Sequence, residues 1–170
     1  MKQFFCLLFI LSTAFLVGQT SKDVASKSFA ENYKRNIKKS RINGVYIPRS
    51  INDAMKQLER KSDAQAVHAF TSAQEDVVAK KLHFGLGRWM VQNWNLEYGS
   101  RLSVKLTELG LKNPDEMSQL LIRSFHRYLN EKPIKAQEIA DVLIKEREKK
   151  KAARFEGKTI KTLSSKKIEQ

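Results

Sequence analysis

Thiol chemistry is almost absent from this sequence, which has one cysteine in 170 residues. Cys6 lies inside an N-terminal apolar run and not at its end, where lipid attachment would require it, so a lipoprotein is disfavoured. If that run is removed during export, the mature chain has no thiol. It then forms no disulfide, cysteine nucleophile or thiolate metal site. Its stability must come from a packed core, and about 150 residues suffice for one domain.

The longest apolar run is also too short to cross a membrane comfortably. It covers residues 4–17 and follows a single cation, Lys2. A spanning helix needs about 20 mostly apolar residues, whereas the apolar region of a signal peptide has about 7–15. We therefore predict a signal peptide at residues 1–18, cleaved between Gly18 and Gln19, and an exported protein, periplasmic or secreted, with no membrane span after cleavage. The alternative is an uncleaved N-terminal anchor.

Motifs for metal binding and nucleophilic catalysis are missing as well. His68, His83 and His126 show neither an HExxH pattern nor a His-x-x-x-His spacing, so we predict no metal site and no cofactor. No serine has the sequence context of a nucleophile elbow. Adjacent acidic pairs fall at predicted helix starts, where the helix dipole explains them. These absences favour binding over catalysis.

Acidic residues are scarce, since 18 of them face 32 lysines and arginines and leave a net charge of +14. The excess is concentrated toward the ends: residues 19–44 carry seven basic and two acidic residues, and residues 136–170 carry ten and six. In an exported protein such charge meets anionic lipid headgroups or acidic envelope polymers, so nucleic acid is not the expected partner. The alternative is that these residues only form solvated faces that keep the protein soluble.

Helix signals recur along the chain, whereas no long alternating strand pattern and no internal repeat occurs. Apolar residues follow the start signals at spacings of three and four, and Val77 and Val142 are among those expected to face the core. The sequence therefore predicts an all-α fold of about five short helices in one domain. The predicted caps are Ser50, a capping box from Ser72 to Glu75, Ser100, and Asn113 before Pro114, with Gly110 as a left-handed helix stop.

Composition divides the chain into three parts after the signal peptide. Residues 19–44 are polar and lysine-rich, which predicts a linker or a weak surface helix. Residues 45–134 form the predicted helical domain, which begins with an extended apolar segment ahead of a proline. Residues 135–170 form a predicted basic helical tail, whose helix should end near Phe155 and leave its lysine-rich second half in solvent.

Two local patterns would suit a binding surface. Gly85 and Gly87 precede Arg88 at a predicted helix start, where backbone amides receive anions, although close packing of two helices explains the glycines equally well. Trp89 and Trp94 offer stacking faces for a sugar or a peptide. Two tryptophans at this spacing are more often core residues.

A combination of short motifs resembles one small bacterial family. The motifs are Tyr46-Ile47-Pro48, His83-Phe84-Gly85-Leu86-Gly87 with Trp89, Asn93-Trp94, Ser100-Arg101-Leu102, Asn113-Pro114-Asp115-Glu116-Met117-Ser118 and Ser124-Phe125-His126-Arg127-Tyr128-Leu129-Asn130. That family is known only as a domain of unknown function, and the resemblance covers about residues 45–134. It implies a domain boundary, with no assigned activity, substrate or cofactor. Glu97 replaces a further tryptophan of the family pattern, which argues against an aromatic platform reaching that far.

Two functional hypotheses remain. The first is a non-enzymatic exported module that binds a protein or an anionic envelope polymer. The second is a small hydrolase or lyase in which His83 and His126 act as acid and base, which requires both side chains to reach a shared cleft. For both histidines, hydrogen bonding within the fold is the alternative to any role in a site. We favour binding, through a candidate surface that consists of His83, Arg88, Trp89, Asn93, Arg101, His126 and Arg127.

Overall fold

The computed structural model describes residues 26–168 and, within them, the side chains of residues 26–155. The predicted signal peptide and its cleavage site between Gly18 and Gln19 lie outside the described residues. The elements are, in order, helix α1 at residues 26–36, strands β1 (Arg41–Ile42) and β2 (Val45–Tyr46), helices α2 (Ile51–Glu59), α3 (Ala64–Ser72) and α4 (Glu75–Leu82), a π-helix (His83–Gly87), and helices α5 (Arg88–Asn93), α6 (Arg101–Glu108), α7 (Pro114–Leu129) and α8 (Ala136–Ile168).

The described part of the chain is mostly helical, which confirms the predicted all-α class. Its helices outnumber the roughly five expected, partly because Asp63 accepts a hydrogen bond from the Ala66 amide and so caps a separate short helix, α3. Within residues 26–168 the β-structure is limited to one antiparallel hairpin, in which Arg41 pairs with Tyr46. This hairpin is too short to form a sheet layer, so the fold is built by helix packing.

Helix α7 is the centre of the fold. It packs against α2, α3, α4, the π-helix, α5 and α8, and it buries side chains along almost its whole length. Burial on several sides is expected of a helix surrounded by others, because its apolar residues then cover more than one stripe. The largest fully buried hydrophobic side chains around it are Trp94, Ile47, Met55, Met90, Leu102, Leu106, Leu111, Leu120, Leu121 and Ile122.

Three predicted helix caps and the helix stop are confirmed. The side chains of Ser50 and Ser100 each accept a hydrogen bond from the third amide that follows them, and the Ser100 cap is a complete capping box. Asn113 accepts one from the amide of Asp115, with proline in the first turn of α7. Gly110 has a φ of +87° just after α6, as a left-handed helix stop requires.

The capping box predicted from Ser72 to Glu75 is wrong. Helix α3 extends through Ser72, whose hydroxyl donates to the carbonyl oxygen of His68 at 2.7 Å, so Ser72 has a helical backbone and does not occupy the cap position of α4. Helix α4 starts after Gln74, whose side chain makes no capping hydrogen bond. Val77 was also expected to face the core, but its side chain is exposed because α4 turns the neighbouring Val78 toward α7.

Helix α4, the π-helix and α5 form one uninterrupted helical stretch. Helix α5 begins at Arg88, but it continues the π-helix directly. The Arg88 amide donates to the carbonyl oxygens of Gly85 and His83 and is therefore not free to receive an anion. Gly87 is buried, and a Cβ on it would come within 3.2 Å of Ser118 Oγ. The close-packing explanation therefore holds for Gly87, while the Cβ position of Gly85 is open.

Helix α8 continues past the predicted end near Phe155 to Ile168. Its first turns bury Ile139, Ala140 and Leu143 against α7. Val142 was expected to face inward, but it lies outside this stripe and its side chain is exposed. Among the residues that the structure describes, no helix combines the length and the apolar character needed to cross a membrane.

Helix α1 lies in the segment predicted as a polar linker or weak surface helix, and most of its side chains are exposed. Tyr33 is the exception of interest, because it is half-buried and its ring lies against Gly99. A Cβ on Gly99 would overlap that ring, and its φ of +91° is one that residues with a Cβ rarely adopt. Gly99 thus leaves room for an aromatic contact between α1 and the segment that joins α5 to α6.

Candidate functional site

A groove lies between α4, α7 and α8 in the described part of the chain. We call it the α8 groove; its volume is about 830 Å³. Helix α4 and the π-helix form one wall, α8 forms the other, and the first half of α7 forms the floor. Its lining is mostly charged, whereas pockets for small organic molecules are mostly apolar. This lining favours a polar or charged partner.

The α8 wall presents four cations at helical spacing. Arg147, Lys150, Lys151 and Arg154 all line the groove, and their spacing of three, four and seven places them on one helix face. Leu143 lies on the same side one turn earlier, and it is buried against the domain while also reaching the groove. One face of α8 therefore changes from apolar to basic as the helix leaves the core.

Two ion pairs fix the innermost part of the groove. Arg147 Nη1 lies 2.8 Å from Glu116 Oε2, which joins α8 to the first turn of α7. Arg123 donates to the Asp76 carboxylate and so joins α7 to α4. The Arg123 hydrogen bond and charge hold the pKa of the Asp76 carboxyl below its usual range. These pairs neutralise the deepest cations and leave the outer ones available.

The outer cations of α8 have no such neutralisation. Lys150, Lys151 and Arg154 are exposed, and no hydrogen-bond acceptor or carboxylate pairs with them among the side chains of residues 26–155. The lining as a whole has six lysines and arginines against four acids, with a net charge of +2. Because cations on one wall concentrate the field within a concave site, the groove attracts anions more strongly than a flat surface of equal charge.

His83 lies in the α8 groove at the junction of α4 and the π-helix. Its Nε2 atom is 3.9 Å from Asp115 Oδ1, and its Nδ1 atom is buried without a hydrogen-bond partner among the described residues. The neighbouring Phe84 ring packs edge-on against it at 4.9 Å and is 78% exposed at the rim. An exposed aromatic ring beside cations supplies an apolar contact next to a charged one.

His126 lies elsewhere and has a structural role. Its side chain is buried, its Nε2 atom is 2.8 Å from the Ala73 carbonyl oxygen, and its ring packs near that of Phe70. It lines neither the α8 groove nor the small pocket beside Tyr46. The shared cleft that an acid and base pair of His83 and His126 would need is therefore not formed by these two side chains.

Arg101 and Arg127 also connect parts of the fold. Arg101 Nε donates to the Ile47 carbonyl oxygen at 2.8 Å, and its guanidinium lies over the Tyr46 ring. It thereby holds the hairpin segment against α6. Arg127 makes a two-pronged contact with Glu75 at 2.8 and 3.1 Å and donates from Nη1 to the chain after α7. Such paired contacts are strong and geometrically specific, which suits a structural role.

The remaining candidate residues lie apart from the groove lining. Trp94 is buried in the core, while Trp89 is half-buried, contacts it edge-on at 5.6 Å, and has the Lys61 ammonium over its ring. The Asn93 side chain donates to the Trp89 carbonyl oxygen. Arg88 is exposed. Of the seven residues predicted to share one surface, His83 alone lines the α8 groove.

Sequence reasoning missed most of the groove. The strongest local signal for it was present in the lysine-rich half of α8, where the cations repeat at spacings of three and four. The sequence predicts a solvated extension there, because nothing in the run shows that one face of it lies across a groove from α4. The α8 residues missed for this reason are Arg147, Lys150, Lys151 and Arg154; Lys80, Phe84 and Arg123, on other elements, were missed as well.

Neither metal chemistry nor a close relative assigns a role to the groove. Within the described residues, no group of three or more histidines, cysteines or acids is arranged to hold a metal ion. Residues 47–129 match a family model described as a domain of unknown function, DUF6794. The match lies within residues 45–134 and confirms the resemblance to a domain of unknown function. No curated protein and no solved structure matches the chain.

Proposed function

We propose that this protein is a non-enzymatic, exported binding module, and that it holds a partner in the α8 groove, which lies between the DUF6794 match at residues 47–129 and the helix α8 that follows it. The partner is a protein or another anionic component of the cell envelope. The observation that carries this proposal is that Lys150, Lys151 and Arg154 are exposed, have no acidic partner among the side chains of residues 26–155, and line a groove of about 830 Å³. An acid and base mechanism would need His83 and His126 in one cleft, but His126 lies outside the groove that His83 lines.

Export enters the proposal through the N-terminal sequence. Lys2 and the apolar run at residues 4–17 have the pattern of a signal peptide. A cationic groove on an exported protein meets acidic proteins and anionic envelope polymers, which are abundant there. Long-range attraction speeds the encounter with such partners, and salt weakens it.

The test is retention of envelope components on the immobilised protein. We expect a component to be retained at low ionic strength, released by salt, and lost when Lys150, Lys151 and Arg154 are all changed to Glu. The matched control changes Lys145 and Lys149 to Glu, because both are exposed on α8 but do not line the groove. Equal retention by both variants and the unaltered protein would place binding elsewhere and contradict the proposal.

A further inference from the structure

We infer that the α8 groove binds an acidic peptide segment of a partner protein, laid along the basic face of α8 with an apolar side chain against Phe84. This inference rests on the proposed function and narrows it to one class of ligand. Three properties of the groove support it: the length of its cationic row, the acids interspersed with its cations, and the exposed ring at its rim.

The cationic row has a length that suits a short extended chain. From Arg147 to Arg154 an α-helix rises about 10 Å, at about 1.5 Å per residue. An extended peptide covers that distance in about three residues, at about 3.3 Å per residue. Since alternate side chains of an extended chain share one face, two acids separated by one residue would both reach the row.

The acids of the groove discriminate against a uniform polyanion. Asp115 and Glu146 are exposed and also line the groove, so their carboxylates lie close to any bound ligand, whereas the Asp76 carboxylate is paired with Arg123. Closely spaced phosphates would be repelled by these groups, since like charges brought together at an interface are costly. A peptide avoids this repulsion, because it places neutral or basic residues between its acids.

The shape of the groove disfavours a membrane surface as its ligand. Proteins that bind lipid surfaces present a projecting face with apolar side chains that enter the headgroup region. Here the cations line a concavity between α4 and α8, and Phe84 is the exposed aromatic residue among its lining. One ring at a rim suits a single apolar side chain of a peptide better than a bilayer.

The experiment measures binding of a fluorescent peptide in which glutamates alternate with serines around one phenylalanine. We expect saturable binding by the purified protein, and affinity at least about tenfold weaker after Lys150, Lys151 and Arg154 are changed to Glu, because three charge contacts of ordinary surface strength are reversed together. The control with Lys145 and Lys149 changed to Glu should retain most of the affinity. Phe84→Ala should weaken binding of this peptide more than binding of one that lacks phenylalanine.

Competing ligands separate failure of this inference from failure of the proposed function. If polyphosphate, or vesicles rich in phosphatidylglycerol, bind more tightly than the peptide through the same cations, the inference of a peptide ligand is wrong. The proposal that the groove is a binding site then still stands. If the groove retains an envelope component but has no affinity for the acidic peptide, the peptide inference is likewise wrong and the proposed function stands. Absence of both peptide binding and groove-dependent retention would overturn both proposals.

Discussion

The Nε2 atom of His126 lies 2.8 Å from the carbonyl oxygen of Ala73, a residue 53 positions earlier in the chain. Because a carbonyl oxygen only accepts, Nε2 is the donor in this contact, which joins α7 to the segment between α3 and α4. The same side chain packs against Phe70 in the core. This histidine connects two parts of the fold, whereas His83 lies open to the groove.

The two histidines should therefore differ when each is changed to alanine. His126→Ala removes one partner of a buried hydrogen bond and should lower the free energy of unfolding by about 1–3 kcal/mol. Arg101→Ala should also destabilise the protein, because it frees the Ile47 carbonyl oxygen. His83→Ala should change stability by less than about 0.5 kcal/mol. Thermal melts measure this, and a large loss for His83 with none for His126 would contradict the assignment.

A substitution at Gly99 should release α1 from the rest of the protein. Gly99→Ala places a Cβ in the Tyr33 ring and strains a left-handed backbone. We therefore expect the free energy of unfolding to fall by about 1–2 kcal/mol and proteolysis at residues 26–36 to become faster. The matched control is Gly85→Ala, whose Cβ position is open and whose backbone is helical, so stability should stay equal or rise. Unchanged protection of residues 26–36 in Gly99→Ala would show that Tyr33 does not anchor them.

The pair of Asp76 and Arg123 should make the free energy of unfolding depend slightly on pH. The hydrogen bond from Arg123 lowers the pKa of Asp76 below its ordinary value of 3.8 in the folded protein. Its stabilisation is therefore present above pH 3.8 and disappears as the pH falls from there through the lower, folded pKa. Because Asp76 is largely exposed, we expect the pair to add only about a few tenths of a kcal/mol to the free energy of unfolding at neutral pH.

Urea unfolding above and below pH 3.8 measures this contribution. Asp76→Asn should reduce the difference between the free energies of unfolding measured above and below pH 3.8. Asp141→Asn, which changes an exposed residue of α8, should leave that difference unchanged. An unaltered difference in Asp76→Asn would show that the pair adds no stability in solution.

Export gives a prediction that is independent of the groove. If residues 1–18 are a signal peptide, the protein recovered from the cell envelope or the medium should begin at Gln19 or within a few residues of it. Intact-mass measurement decides this. A full-length mass in the cytosol would contradict export, and a full-length mass in the membrane would favour the uncleaved anchor.

Features set by neighbouring residues were predictable from the sequence. The caps at Ser100 and Asn113 depend on side chains and amides within one turn, and both are present as expected. The capping box at Ser72 failed for an equally local reason. Ser72 continues α3, with its hydroxyl donating to the carbonyl oxygen of His68, and Gln74 takes the cap position of α4 instead.

The site depended on contacts between distant residues, which the sequence could not supply. Arg123 reaches Asp76 across 47 positions, and Arg101 reaches Ile47 across 54. Charged residues in helices give no sign of which remote element they will meet, so Arg101 and Arg127 were equally compatible with a binding surface and with internal contacts. The basic run of α8 could be recognised as a helix face, but its opposite wall could not.

The π-helix between α4 and α5 has a consequence for insertions and deletions in this domain. Its wider turn holds one residue more than an α-helical turn would. The side chains of α5 are therefore rotated about the helix axis, relative to those of α4, by about 100° from the positions that an unbroken α-helix would give them. Deleting Gly85 would restore regular winding. It would then rotate either Met90 and Trp94 out of the core or Lys80 out of the groove. A single extra residue thus lets one continuous helix contribute both to the core and to the wall of the α8 groove, and a change of one residue in its length would lose one of the two.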